Sequence, residues 1–392
     1  TRRSSDLMSL LTWPGLLTVD RAGKEIVARF VSDMRVICTE PTAGGIREDV
    51  RACYDHQLCE AAGSEHEAIR QHHLDLLHSQ RCERYGLDPQ TTIALSTAAN
   101  MRCAGFTSET FDDLSVAAVC TAGVEGNALR SGDPAVFHEV HGAIKLLDAS
   151  PDVLPPAGTI ISMVFINQEL TPAALTRAVV TATEAKNAAL TDLLVGSRYS
   201  QRLATGTGSD QILIACPRGH EHPLTEAGGH AKLGELIGRC VYAAVTEALD
   251  LQNTLTPSTR RALSSQLARF GVTKELILDA AGQCLEPAAA EFMASNFLSV
   301  DRDPFVVAAG GALAAIADQL ASGMLPANAA AELAPAAGAM LAQAVSLGEG
   351  DLVAFQAELA GQDFQLTSLV PRAISLGFQQ KWLRLAAALS DG

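Results

Sequence analysis

No C-x-x-C pair occurs among the nine cysteines of this 392-residue chain, which removes zinc ribbons and thioredoxin-like redox sites from consideration. Thiols scattered through a chain of this size point instead to a reducing compartment, and a cytoplasmic protein is expected. Basic residues are scarce too: 29 lysines and arginines face 44 acids, a formal net charge of −15, which argues against nucleic-acid partners and against an anionic membrane surface. The longest apolar run, Phe305 to Ala317, stops at Asp318 and as a run is too short to span a bilayer. Arg2-Arg3 ahead of Leu7 to Leu17 does not make an export signal, because Asp6, Trp13 and Pro14 break the stretch and no small-residue cleavage pattern follows. Dinucleotide and P-loop fingerprints are also missing, since the one glycine-rich stretch with hydroxyls opens onto a strand-like run rather than a helix.

That stretch belongs to the densest chemistry in the chain, Thr181 to Asp210. A helix begins at Thr171-Pro172, a cap residue with proline at the first helical position. Leu175, Val179, Ala182, Ala189, Leu190 and Leu193 form one stripe at helical period, with Lys186 in its middle. Glu184 stands opposite, beside Ala173, Val180, Ala188, Thr191 and Arg177, so the helix reads as covered on most of its circumference. Two residues apart, Glu184 and Lys186 cannot pair with each other. Each needs another partner, as two structural salt bridges or as chemistry. Thr205-Gly206-Thr207-Gly208-Ser209-Asp210 then alternates glycine with hydroxyls and ends on a carboxylate, so N–H and O–H donors can converge on an oxyanion or amide, although ordinary tight turns use the same residues.

Elsewhere, Leu16 to Asp20 and Glu25 to Val31 flank a turn at Arg21 to Gly23 and predict a hairpin, with Met34 to Thr39 as a third strand. Ser64 with Glu67 is a capping box opening a helix to about Tyr85. His66, His72, His73 and His78 on it lack the H-x-x-x-H spacing of a helical zinc site, and His78 with Cys82 is the one i, i+4 ligand pair. Thr91 to Thr97, Leu114 to Thr121 and Gly158 to Asn167 read as strands, the last buried on both faces. Between the last two, Glu125, Asn127, Arg130 and Asp133 crowd a glycine-punctuated loop, a binding loop or a solvated connection. Cys216, His220 and His222, with His230 as a fourth, are a zinc alternative whose spacing matches no established pattern. His230 and Lys232 open a helix from about Ala231 to Leu249, where free N–H groups attract anions. From Leu255 the chain turns to alanine- and leucine-rich helical segments broken by glycine and proline, and Asp301-Arg302-Asp303-Pro304 reads as a helix-start turn.

Several stretches resemble one family. TEAK at Thr183 to Lys186, SRYS at Ser197 to Ser200 and ATGTGSD at Ala204 to Asp210 are similar to segments of the adenosylcobinamide amidohydrolase family. So are STAAN at Ser96 to Asn100, TAGVEGNALRSGD at Thr121 to Asp133, GTI at Gly158 to Ile160 and GHAKLGELIG at Gly229 to Gly238. The resemblance covers roughly residues 15 to 250. It implies hydrolysis of the amide joining the corrin ring system to aminopropanol, giving adenosylcobyric acid and aminopropanol in corrinoid salvage. This sequence has Ser209 where the family more often has threonine, which keeps a hydroxyl, and Ile161 where it more often has asparagine, which loses an amide.

The expectation is an α+β protein: a mixed β-sheet domain with packing helices over residues 1–254, followed by an all-helical C-terminal region over 255–392 that stabilises, covers or oligomerises the first. Candidate catalytic residues are Lys186, Glu184, Thr205, Thr207 and Asp210, with Lys186, set on the apolar stripe, as a base or oxyanion partner. Candidate substrate contacts are Glu125, Asn127, Asp133, Gly206, Gly208, Ser209, His230 and Lys232. No metal and no cofactor is expected beyond the corrinoid, whose cobalt arrives as substrate, and a homo-oligomer is possible. Two alternatives stay open: a corrinoid- or small-molecule-binding protein on the same scaffold, and an amidohydrolase with another substrate.

Overall fold

The computed structural model describes residues 7–58, 74–147, 158–361 and 364–390. The protein is α+β, and it divides into two compact units, Thr1–Thr256 and Pro257–Gly392. The predicted helix start at Ser64 and the histidines at 66, 72 and 73 lie outside the described residues.

In the first unit β1 (Leu7–Trp13), β2 (Leu17–Ala22), β3 (Glu25–Phe30), β4 (Met34–Cys38), β5 (Gly45–Arg47), β6 (Ala52–Gln57), β7 (Thr92–Thr97), β8 (Gly105–Phe111), β9 (Leu114–Ala122), β10 (Ala128–Leu129), β11 (Phe137–Val140), β12 (Ala143–Leu146), β13 (Ile160–Ile166), β14 (Gly206–Thr207) and β15 (Gln211–Pro217) follow in order. The helices are α1 (Leu74–Tyr85), α2 (Pro172–Asp192) and α3 (Lys232–Asn253). A five-stranded sheet runs β1-β2-β3-β6-β7 and a six-stranded one β5-β4-β15-β13-β9-β8. The hairpin of β2 and β3 forms as predicted, but β4 leaves it for the second sheet, pairing with β15. The stretch after Asp6 is the edge strand β1, which turns back into β2 through Gly15 at φ +73°.

The alternation of side chains along a strand explains the layering. Ile161, Met163 and Phe165 of β13 join Ala117 and Val119 of β9 and Leu213 and Ala215 of β15 against Leu17, Val19, Ile26 and Ala28 of the other sheet. The intervening residues, Ile160, Val164, Val116, Ala118, Ile212 and Ile214, pack under α2 and α3. The six-stranded sheet is therefore buried on both faces, one against a sheet and one against helices, as the continuous apolar run of β13 requires. The outer face of the five-stranded sheet is met by α1, where Tyr54 and Val27 pack with Cys82. His78 is a packing residue there: its Nδ1 lies 2.7 Å from Tyr54 Oη and its Nε2 3.1 Å from the Pro89 carbonyl. Glu25, buried at the start of β3, contacts His56 Nδ1 at 2.9 Å and accepts from Tyr85 at 2.5 Å. Burial alone would raise the Glu25 carboxyl, but these bonds carry it below its ordinary range.

The described residues of the second unit form helices and no strands. Asp303 caps the helix Pro304–Ala321 by accepting from the Phe305 and Val306 N–H groups. Buried Asp301 accepts from Ser264 N at 2.7 Å and Ser264 Oγ at 2.9 Å. The helix Pro304–Ala321 runs past Asp318, which is paired with Arg269 through both oxygens. With that residue included, it is long and apolar enough to cross a membrane by length and composition, a correction to the shorter run read from sequence.

Candidate functional site

The crossover β13–α2–β15 decides where the reactive side chains meet. Two parallel strands, β13 and β15, lie side by side with Ile161 opposite Gln211, and parallel neighbours must be joined by a connection that carries the chain back along the sheet. Helix α2 makes that return, so its C-terminal half comes back to the edge where β13 and β15 start. Lys186, 6% exposed on the buried stripe of α2, there meets Asp210, one residue before β15. Lys186 Nζ donates to Asp210 Oδ2. The same carboxylate accepts from Thr207 N at 3.0 Å, Thr207 Oγ1 at 2.6 Å and Ile160 N at 3.0 Å. Four donors thus converge on Asp210, and the Thr207 hydroxyl is within proton-transfer distance of a carboxylate whose charge is matched by a lysine. A Cβ on Gly206 would lie 2.8 Å from Lys186 Nζ and nearer still to Asp210 Oδ2, so only glycine allows the backbone this approach.

A second ring of contacts fixes the loop. β10 pairs with β14, Ala128 opposite Thr207 and Leu129 opposite Gly206. Buried Asn127 donates to the Gly158 carbonyl at 3.1 Å and accepts from Tyr199 Oη at 2.8 Å. Ser209 Oγ lies 2.6 Å from Thr159 Oγ1 and donates to the Gly158 carbonyl at 3.2 Å, while Gly208 and Ser209 are exposed. Thr205 Oγ1 points elsewhere, accepting from Ser131 N at 2.9 Å. Asp133 accepts from Ser197 Oγ at 2.6 Å and Arg130 N at 2.9 Å. Burial works against its charge, yet those bonds, Ser197 foremost, hold its carboxyl below the ordinary range. Sequence reasoning assigns no role to Tyr199, Ser197 or Thr159, although the first two stand in SRYS and the third in GTI.

The structure gathers Lys186, Thr207, Asp210, Gly206, Gly208, Ser209 and Asn127, with Thr205 and Asp133 at the margin. It does not bring in the rest. Glu184 is exposed on the opposite side of α2; that side faces solvent rather than cover, with Ala173, Arg177, Val180, Ala188 and Thr191 exposed as well. Glu125 is exposed on its loop, and His230 is exposed ahead of α3. Lys232 pairs with Glu235 at 2.5 Å and sits 4.6 Å from the centre of the Phe111 ring. Phe111 is opposite Leu114 at one end of β9, whereas Ala122 at the other end is opposite Ile160. Eight residues of strand at about 3.3 Å each put roughly 26 Å between those ends. The zinc alternative fails on geometry: Cys216 is fully buried in the core under the helices, where burial pushes its thiol up to about 11, while His220 and His222 are exposed. Among the described residues no three His, Cys, Asp or Glu side chains come together as a metal set. Ile161 faces the space between the sheets, so the amide absent from that position is absent there and not from the Lys186–Asp210 cluster.

The model of the adenosylcobinamide amidohydrolase family matches residues 14–257. An uncharacterized protein of Methanocaldococcus jannaschii is 33% identical over 180 residues, 45% of this chain and 70% of that protein. Among solved structures, a Burkholderia sp. beta-aminopeptidase aligns over 63% of this chain and 83% of its own at 13% identity and a TM-score of 0.31. A Pyrococcus horikoshii protein aligns over 62% and 83% at 12% identity and 0.28. Both scores are too low to carry an argument about the site. The family match takes in the whole arrangement from the β2–β3 hairpin to the end of α3 and stops where the first unit stops, and the chain accordingly belongs to the adenosylcobinamide amidohydrolase family.

Proposed function

We propose that this protein hydrolyses the amide joining the corrin ring system to aminopropanol in adenosylcobinamide, adding water to give adenosylcobyric acid and aminopropanol. The observation that carries the reading is the Thr207–Asp210–Lys186 arrangement inside the stretch matched to the family. A hydroxyl hydrogen-bonded to a carboxylate that is itself held by a third group is the usual form of an activated nucleophile. Thr207 Oγ1 attacks the amide carbonyl as its proton passes to Asp210, and Lys186 offsets the charge beside it. The N–H of the exposed Gly208 meets the oxyanion, while the Ser209 N–H lies 3.4 Å from Thr207 Oγ1. Collapse returns the proton to the leaving nitrogen, aminopropanol departs, and water cleaves the resulting ester to the free acid and regenerated Thr207. The corrinoid's cobalt is part of the substrate and takes no step in this scheme.

The test is purified protein with adenosylcobinamide, measuring aminopropanol release. Release at a catalytic rate supports the proposal, while tight corrinoid binding without release would make the protein a binding module. Within the scheme, Lys186→Met is expected to stay folded and lose ~100-fold or more in turnover, the scale of a lost electrostatic partner where charge develops. Unfolding of that variant with normal specific activity in the surviving fraction would make Lys186 a structural residue. A chain ending at Thr256 is expected to keep hydrolysis, because the matched residues end at the unit boundary. A cooperatively folded truncation without activity would count against that.

A further inference from the structure

The hairpin of β11 and β12 forms a two-stranded sheet of its own. Its register sets Phe137 opposite Leu146 and Glu139 opposite Ile144 on one face, with His138 opposite Lys145 and Val140 opposite Ala143 on the other. The first face is apolar except for Glu139, and it is open: Phe137 is 49% exposed, Leu146 56% and Ile144 70%. A two-stranded hairpin is marginally stable by itself in water and gains most from something packed on one face. Its root is anchored beside the candidate site. β10 pairs with β14, Ser131 donates to Thr205, and Asp133 is held by Ser197. Phe137 follows Asp133 by four residues, a reach of at most about 14 Å.

We infer that this face is a platform for the apolar plane of a macrocyclic corrinoid, holding the ring while its amide arm reaches Thr207, an inference that rests on the function proposed above. The chemistry matches: Phe137, Leu146 and Ile144 present an exposed apolar surface, and Glu139 among them accepts an N–H from an amide at the ring's edge. The size matches as well. Three apolar side chains cover a few hundred Å² at most, enough for one macrocycle and well below the roughly 800 Å² per partner of a stable protein interface, which disfavours a second copy of this chain as the occupant.

The full-length double variant Phe137→Ser, Ile144→Thr tests this, since both positions are exposed and serine and threonine keep the hairpin backbone unstrained. With adenosylcobinamide, KM is expected to rise about tenfold with kcat within about twofold, and the Kd for cobinamide, read by absorbance titration, rises in parallel. Aminopropanol release with unchanged KM and Kd overturns the platform and leaves the proposed hydrolysis standing. A wild-type protein that binds cobinamide without releasing aminopropanol overturns hydrolysis, and a tenfold Kd shift in the variant then still supports the platform. No binding by the wild type overturns both. A fall in mass by light scattering from dimer to monomer with unchanged Kd assigns the face to a second copy and overturns the platform.

Discussion

Replacing Thr207 with valine is expected to lower aminopropanol release about a thousandfold or more, leaving only the residual rate that binding and the oxyanion donors supply. Valine matches threonine in shape and suits the strand position opposite Ala128, so the change removes the hydroxyl and little else. Asp210 keeps its bonds from Lys186 and from the Ile160 N–H, so the cluster survives. The neighbours set the scale. Thr205→Val removes a hydroxyl already engaged with Ser131 and is expected to cost under about tenfold, less than a lost oxyanion donor at about 2.7 to 4 kcal/mol. Thr207→Ser keeps the attacking oxygen and is expected to retain most activity. Steady-state kinetics on the three variants, with circular dichroism to confirm folding, decide the matter. Near wild-type turnover in Thr207→Val would remove the reaction from this residue.

What could be read in advance depended on how local its cause was. The start of α2 was legible because Thr171 and Pro172 act on the backbone beside them, the Thr171 hydroxyl accepting from Ala174 N. The burial of Lys186 was legible too, since helical period alone puts it on the apolar stripe. Its partner was not: Asp210 is 24 residues away and meets it only because α2 returns along the sheet. Strand β6 is not legible in the sequence because Asp55 and His56 interrupt its apolar pattern, and each is accommodated by a different layer, Asp55 by Thr121 and His56 by Glu25. The edge strand β8 is too polar to register. Lys232 shows the converse: its place at a helix N-terminus is legible from local sequence, and the length of β9 carries that terminus to the far end of the sheet from Asp210.

Asp55 gives the second large effect, on stability rather than turnover. It lies between the two sheets at 1% exposure, accepting from Thr121 Oγ1 at 2.7 Å through Oδ2, while Oδ1 has no partner among the described residues. Burial pushes its carboxyl up from 3.8 to about 7, against the smaller opposing pull of the Thr121 hydroxyl and the His56 N–H. The direction of the pH effect follows from proton counting. Between about pH 4 and pH 7 the folded protein holds a proton that the unfolded chain has released, so stability falls as pH rises through that window and levels off above it. At about 1.4 kcal/mol per unit over roughly three units, the loss is on the order of 4 kcal/mol. Asp55→Asn cannot release a proton, and its amide offers a donor to the same interior. The variant is therefore expected to melt near the wild type at pH 4.5 and on the order of 10 °C above it at pH 8, taking about 2 to 4 °C per kcal/mol for a unit of this size. Carboxyls whose range is lowered, such as Glu25 and Asp133, destabilise both proteins alike as pH falls and cancel in the difference. Melting curves of wild type and Asp55→Asn that run parallel from pH 4.5 to 8 would show that Asp55 is ionised in the folded protein throughout.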